Sequence, residues 1–480
     1  MHPTLKHDQE NLRQLLDQTS AAAYEFLAGI NGRSPATNPH PPTPYTPLPE
    51  NGLGTAATLA TFRQKYEAGL AGSPGPRYLG FITGGTTPAA LVGDWLAAAY
   101  DQNVMADMDS IAPHVEYETI HLLRQLFGLP DSFFGTFVSG ATMSSFVGLA
   151  LARQWLAQQH GLDVAQDGLY GLPPVQILTA TPHSSIYKAA AMLGLGRNAV
   201  QTIPTLPNRE AVDVTALAQQ LAATPQPCIV VGNAGTVNSV DFDDLPAIAR
   251  LKTTHNFWFH VDAAFGGFAA CSPAHAHLVV GLETADSITI DAHKWLNVPY
   301  DSAMQFSHHP DLQAQVFSNA AAYLGDPSGQ PSLVNLTPQN SRRFRALPAW
   351  FSLLANGRSG YRDIVERNCQ QAQQLTRHIA TSSHFRLLAE THLNVVCFTL
   401  NRDNVQPSDI SRYLTLLRDD GRVFLTPTSY KGIPAIRAAF SNWQTSEHDV
   451  AACWQAMNDV VVHMAGDGTD YADHHEENRT

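Results

Sequence analysis

Apolar positions near the start of the chain recur at helical spacing. Leu12, Leu15, Leu16, Tyr24 and Leu27 fall on one stripe, which predicts a helix over residues 8–30. Seven prolines then lie between Pro35 and Pro49, forbidding a regular helix and favouring an extended, polyproline-like connector. A second break at 69–76 precedes the main body. Residues 1–75 therefore read as an arm without a core of its own, of the kind that wraps a partner subunit.

From residue 77 to about 354, helical stretches alternate with short apolar runs. A helix over 143–158 is followed by strand-like runs at 175–180, 228–232, 257–262 and 287–291. These runs lack the in–out alternation of a half-exposed strand, so they predict a parallel sheet buried on both faces. That is the pattern of an α/β doubly wound domain, whose ligands bind at the carboxyl ends of the strands. Beyond a helical stretch at 361–382 the pattern becomes α+β, with strands expected at 393–400, 423–426 and 435–440 and a helix at 447–464. The expected division is an arm over 1–75, a large domain over 76–360, a small domain over 361–465 and a disordered acidic tail over 466–480. No internal repeat is visible.

Composition narrows the function classes. The chain has 480 residues, 44% hydrophobic and 15% charged, enough to bury a large core without staples. A formal charge of −13 argues against nucleic acid, which demands surplus Lys and Arg. The single basic cluster, Arg342-Arg343-Phe344-Arg345, is too short to change that. Five cysteines without C-x-x-C spacing suggest reduced, buried thiols rather than a disulfide framework or zinc knuckle. The polar first ten residues do not resemble a signal peptide, and no apolar run reaches membrane-spanning length. A soluble, cytoplasmic protein is expected.

The candidate chemistry sits at two predicted strand ends. Phe259-His260-Val261-Asp262-Ala263-Ala264-Phe265-Gly266-Gly267 places an acid at a strand terminus followed by small residues, and Asp291-Ala292-His293-Lys294-Trp295 closes the next strand. A lone strand-end Asp is usually a cap and a lone Lys a surface charge. Lys294, however, lies among Ile288, Ile290, Trp295 and Leu296. An acid and a lysine on consecutive strand ends can address one flat cofactor. Pyridoxal 5′-phosphate (PLP) needs this pair: a lysine for the Schiff base and an acid that keeps its pyridine nitrogen protonated.

These segments resemble the group II PLP-dependent decarboxylases, which include the aromatic-L-amino-acid, histidine and glutamate decarboxylases. Further segments extend the resemblance over roughly residues 8–460. Thr181-Pro-His-Ser-Ser-Ile-Tyr-Lys188 looks like the segment whose His stacks on the cofactor ring, giving that role to His183. Ser139-Gly-Ala-Thr-Met-Ser-Ser-Phe146 resembles the phosphate cradle, so Ala141 and Thr142 become anchors at a helix N-terminus, with His293 a further phosphate ligand. Asn233-Ala-Gly-Thr-Val-Asn238 and Asp241-Phe-Asp-Asp-Leu245 match a loop beneath the cofactor, bringing in Asn238; Ala264 and Asp291 complete the implied cofactor set. Pro76-Arg-Tyr-Leu-Gly-Phe-Ile-Thr83 resembles the pocket segment and implies Tyr78, Phe81 and Ile82 as substrate contacts. Asn319-Ala-Ala-Ala-Tyr-Leu324, placed by the following Ser341-Arg-Arg-Phe-Arg-Ala-Leu-Pro-Ala-Trp350, implies that Tyr323 protonates Cα in the neighbouring subunit's site. Two positions depart from the aromatic subfamily: Asp291 stands where Asn contacts the phosphate, and Val237 stands where a Thr is found.

The resemblance implies a fold of the aspartate-aminotransferase type (fold type I), a homodimer with shared sites and decarboxylation of an L-amino acid, with Lys294, His183, Asp262 and Tyr323 catalytic. An aromatic substrate leads, with acidic and short diamino acids left open. Aldehyde synthases or other carbon–carbon lyases on the same scaffold are one alternative; a non-catalytic structural or regulatory homologue is another, against which the intact Asp262, His183 and Lys294 argue. Two rival motifs carry less. Gly194-Leu-Gly-Arg-Asn-Ala199 fits a loose dinucleotide fingerprint but follows a helix rather than a strand. His114, Glu118 and His121 could share a helical face, yet among 21 histidines such a coincidence is a weak pointer, and no metal is expected.

Overall fold

The computed structural model describes residues 1–38, 47–105, 109–224, 228–319 and 332–466. Seven strands form one sheet: β1 (Phe134–Val138), β2 (Ile177–Thr179), β3 (Val200–Thr202), β4 (Cys228–Asn233), β5 (Phe257–Asp262), β6 (Ser287–Ile290) and β7 (Ala303–Ser307). Their order is β1-β7-β6-β5-β4-β2-β3. All neighbouring pairs from β6 to β3 are parallel, and only β7 runs against both of its neighbours. β4 and β5 are buried at all six positions each, which is why their sequences read as unbroken apolar runs. Strands β1, β3 and β7 carry no comparable run and were not expected from the pattern.

Two-residue periodicity sorts β5 between the faces of the sheet. Phe257, Phe259 and Val261 join the main core, whereas Trp258 joins the core beneath α1 (Ala141–Gln159). His260 and Asp262 share the parity of Trp258. At Gly148 in α1 a Cβ would come within 2.7 Å of His260 Nδ1, so a glycine is what lets the helix approach the strand. Asp262 is thereby aimed toward the N-terminal end of α1.

The C-terminal part forms a second sheet, β8 (Phe385–Leu387), β9 (Val395–Leu400), β10 (Thr426–Tyr430) and β11 (Ile433–Ala439), ordered β10-β11-β9-β8 and wholly antiparallel. It has its own core, built from Phe385, Phe398, Tyr413, Ile436 and Met457 among others. The strand expected at 423–426 begins only at Thr426. Pro427 is tolerated within β10 because β10 is an edge strand. The helix expected at 361–382 is longer, forming the C-terminal part of α3 (Ala346–Ala380), with a break at Gly357.

The 194–199 motif behaves as a helix-ending turn. Gly194 and Gly196 have φ of 75° and 85° directly after α2 (Ser184–Met192). His114 packs edge-on against Tyr117, and His121 bonds to Arg124 and Gln125. All five cysteines are buried and unpaired. Among the described residues no helix is long and apolar enough to cross a membrane.

Candidate active site

The carboxyl ends of β5 and β6 place Asp262 and Lys294 side by side in the fold. β5 and β6 pair in parallel with Asp262 opposite Thr289, and the Asp291 N–H donates to Ala264 O at 2.8 Å. Asp262 is buried, and one of its oxygens accepts the Ala264 N–H at 3.2 Å. Lys294 is half-buried on a single helical turn, Ala292–Trp295. Its Nζ lies 3.3 Å from Asp291 Oδ2 and 5.6 Å from the centre of the Phe265 ring. Segment 78–84 runs against this turn so closely that a Cβ on Gly84 would meet Lys294 O at 2.0 Å.

His183 caps α2: its Nδ1 accepts the Ser185 N–H at 3.2 Å and meets Ser185 Oγ at 2.8 Å. A neutral ring therefore carries its proton on Nε2. His183 keeps an exposed edge. Even so, desolvation by the protein around the ring lowers its pKa, while the Asp262 charge pulls the other way and Lys294 and Arg437 add to the lowering. Burial likewise lowers His293, against the opposing charge of Asp291.

Arg437, on β11, was not among the residues expected. It carries no local motif, and only the packing of the second sheet against the first brings it in. Its Nη1 donates to Val237 O at 2.8 Å, and its buried Nε has no hydrogen-bond partner among the described residues. Val237, the apparent departure, thus takes part through its backbone. Asn238 is committed elsewhere. Its Nδ2 donates to Glu210 Oε1 at 2.9 Å and to Ser429 O at 3.2 Å, and its Oδ1 accepts from Thr428 Oγ1 at 2.5 Å. It joins the loop to β10. The Ala141 N–H donates to Asp291 Oδ1 at 3.1 Å. Thr142 follows it in the first turn of α1, where N–H groups have no carbonyl of their own helix to pair with.

The aromatic residues of the pocket segment cluster. Tyr78 and Phe424 lie 4.9 Å apart between ring centres, Phe81 and Phe424 6.0 Å, and Tyr78 and Phe81 6.4 Å. Ile82 is buried in the main core. Tyr300, also unforeseen, lies against the His293 ring at 4.6 Å. Phe81 and Tyr300 are 52% and 61% exposed, leaving large aromatic surface open. Tyr323 lies outside the described residues.

These residues suit PLP. The His293 Nδ1 is buried and has no hydrogen-bond partner among the described residues, although Asp291 Oδ1 is 3.4 Å away. An orphaned ring nitrogen beside a helix N-terminus matches a phosphate. An acid and a primary amine on neighbouring strand ends match the ring nitrogen and the aldehyde.

A mostly parallel sheet that presents a lysine and an acid in this way defines a PLP enzyme of the aspartate-aminotransferase type. The pyridoxal-dependent decarboxylase conserved domain matches residues 49–401, and the chain belongs to that family. It is a PLP-dependent amino acid decarboxylase. It is 25% identical over 417 residues to an aromatic-L-amino-acid decarboxylase of Bacillus atrophaeus, covering 84% of this chain and 85% of that one. The fold is similar to the crystal structure of Oryza sativa TDC with PLP and tryptamine, with a TM-score of 0.88, 21% identity, and 95% and 98% of the two chains covered. It is also similar to Rhodiola rosea 4-hydroxyphenylacetaldehyde synthase, with a TM-score of 0.81, 20% identity, and 94% and 98% covered.

Proposed function

We propose that this protein decarboxylates an aromatic L-amino acid to its amine. The observation that carries the reading is the aromatic cluster of Tyr78, Phe81 and Phe424, together with Tyr300 against the ring of His293, the residue before Lys294. Stacked or edge-on aromatic pairs gain about 0.5–1.5 kcal/mol beyond burial, enough to favour a ring over an acidic or short basic side chain. The relative from Bacillus atrophaeus supports the same substrate class.

Lys294 would hold the cofactor through its amine, Asp262 would favour a proton on the ring nitrogen, and His183 would lie against the ring. His293 and the first turn of α1, through Thr142, would hold the phosphate. When bound, the cofactor supplies an electron sink for the pair released as the Cα–carboxylate bond breaks. Arg437 offers its unpaired Nε–H to the substrate carboxylate and so orients the bond to be broken. Tyr323, by resemblance, delivers the proton to Cα from the neighbouring subunit. That reading makes the enzyme a homodimer, which the exposed arm supports: Leu12, Leu16 and Tyr24 are 54%, 60% and 73% exposed. We place the reaction in the cytoplasm, in keeping with five unpaired thiols, and retain the domain division 1–75, 76–360, 361–465 and 466–480.

The test is direct. Purified protein should show a visible cofactor band, borohydride should fix the label on Lys294, and amine with carbon dioxide should form from tyrosine, tryptophan or 3,4-dihydroxyphenylalanine faster than from glutamate or 2,4-diaminobutyrate. A label on another lysine would overturn the site. Aldehyde and peroxide in place of amine would favour the aldehyde synthase.

A further inference from the structure

Asp291 is a buried carboxylate, 3% exposed, set between the two handles that the cofactor must reach. Its Oδ1 takes the first N–H of α1 at 3.1 Å, and its Oδ2 lies 3.3 Å from Lys294 Nζ. The Ala141 N–H belongs to the helix end that suits a phosphate, and the lysine is the amine that suits the aldehyde. His293, whose Nδ1 is orphaned, is also 3.4 Å from Oδ1. A neutral Asn at this position could accept the same N–H through its amide oxygen without adding a charge. The aspartate brings a full negative charge to a site that must admit a dianionic phosphate.

We propose that Asp291 is a built-in competitor for the cofactor, occupying the phosphate end of α1 and pairing with Lys294 when the site is empty. Loading then requires this carboxylate to yield both contacts. The protein would hold PLP less tightly than the remaining residues allow, and its loaded fraction would follow the cofactor concentration. The inference rests on the assignment of this site to PLP.

Pyridoxamine 5′-phosphate is a suitable probe, because it carries the phosphate and ring but has no aldehyde for Lys294. Its dissociation constant should be measured on the full-length, cofactor-stripped protein by calorimetry, for wild type, Asp291→Asn and Asp291→Glu. Asp291→Asn should bind at least tenfold more tightly, whereas Asp291→Glu, which keeps the charge, should show no such gain. Thermal unfolding of each protein establishes that it is folded; should Asp291→Asn fail to fold, Asp291→Ser carries the same expectation. Equal or weaker binding by a folded, uncharged variant would overturn the proposal and make Asp291 a support of the cradle. If neither wild type nor variant binds the probe, the PLP assignment itself fails, and the proposal with it.

Discussion

Asp262 has one backbone donor, the Ala264 N–H, and shares its surroundings with His183 and Lys294. An opposite charge nearby shifts a pKa by about 1–3 units, so losing this carboxylate should release the proton from the cofactor's ring nitrogen and weaken the electron sink. Asp262→Ala is therefore expected to keep less than about 5% of wild-type kcat, measured by carbon dioxide release at saturating cofactor. A variant above that level would show that the ring proton is held by another group. His260, two residues earlier, has a different task. It is fully buried, bonds Ser287 Oγ at 2.8 Å, and burial lowers its pKa to about 4. The fold thus favours the neutral ring. The resulting stability is complete above the unfolded value of about 6.5 and is lost as the pH falls from there toward about 4. At pH 5 that loss amounts to about 2 kcal/mol. Thermal midpoints at pH 7 and pH 5 should drop further for wild type than for His260→Gln; parallel drops would contradict the assignment.

At the scale of elements, the joints between strands and helices are built from buried polar groups. Glu116 and Arg342 form an ion pair of 2.7 Å with both side chains fully buried. Glu116 Oε1 also accepts from Thr136 Oγ1 and the Phe137 N–H, at 2.9 and 3.0 Å, while Arg342 donates to Val104 O and Phe137 O at 2.8 and 2.7 Å. The pair thus ties β1, which ends just before the first turn of α1, to the segments around 104 and 342. Removing one partner of such a pair costs about 3–5 kcal/mol, because the other charge is left uncompensated. Glu116→Gln should lower the thermal midpoint by several degrees and loosen cofactor binding along with it. Loss of stability without any change in cofactor affinity would separate this joint from the site. A second joint lies in the loop after β4, where Glu210 accepts from Thr236, Asn238 and Ser239 and so holds the backbone of Val237 in place for Arg437.

For the whole molecule, the arm bears on the state of assembly. Neither of the first two helices, Pro3–Glu10 and Leu12–Ala28, buries a residue within the single chain, and apolar stripes of this kind are normally covered by a partner. Sedimentation should give about twice the chain mass of 52.1 kDa, and Leu16→Asp with Tyr24→Asp should shift it toward the monomer and cut activity. Mixed dimers of Tyr323→Phe and Lys294→Ala subunits should recover part of the activity, by rebuilding one native site. A verified mixed dimer without recovery would place Tyr323 in its own subunit's site.

Local chemistry was readable from the sequence alone. Lys294 in an apolar stretch, Asp262 before a run of small residues and the buried strands β4, β5 and β6 depend on residues adjacent along the chain, where periodicity and motif spacing carry the information. Fold class and cofactor followed from them. What lay outside that reach depended on residues far apart. β7 is held in place by pairing to β1 and β6 on either side, and Arg437 arrives from about 140 residues beyond Lys294 because the second sheet packs over the first. Asn238 meets Ser429 and Thr428 of β10 from about 190 residues away. Asp291 looked like a misfit until the first N–H of α1 and the Lys294 ammonium were placed beside it. A buried charge is tolerated only where such partners converge, and that convergence is decided by the tertiary structure.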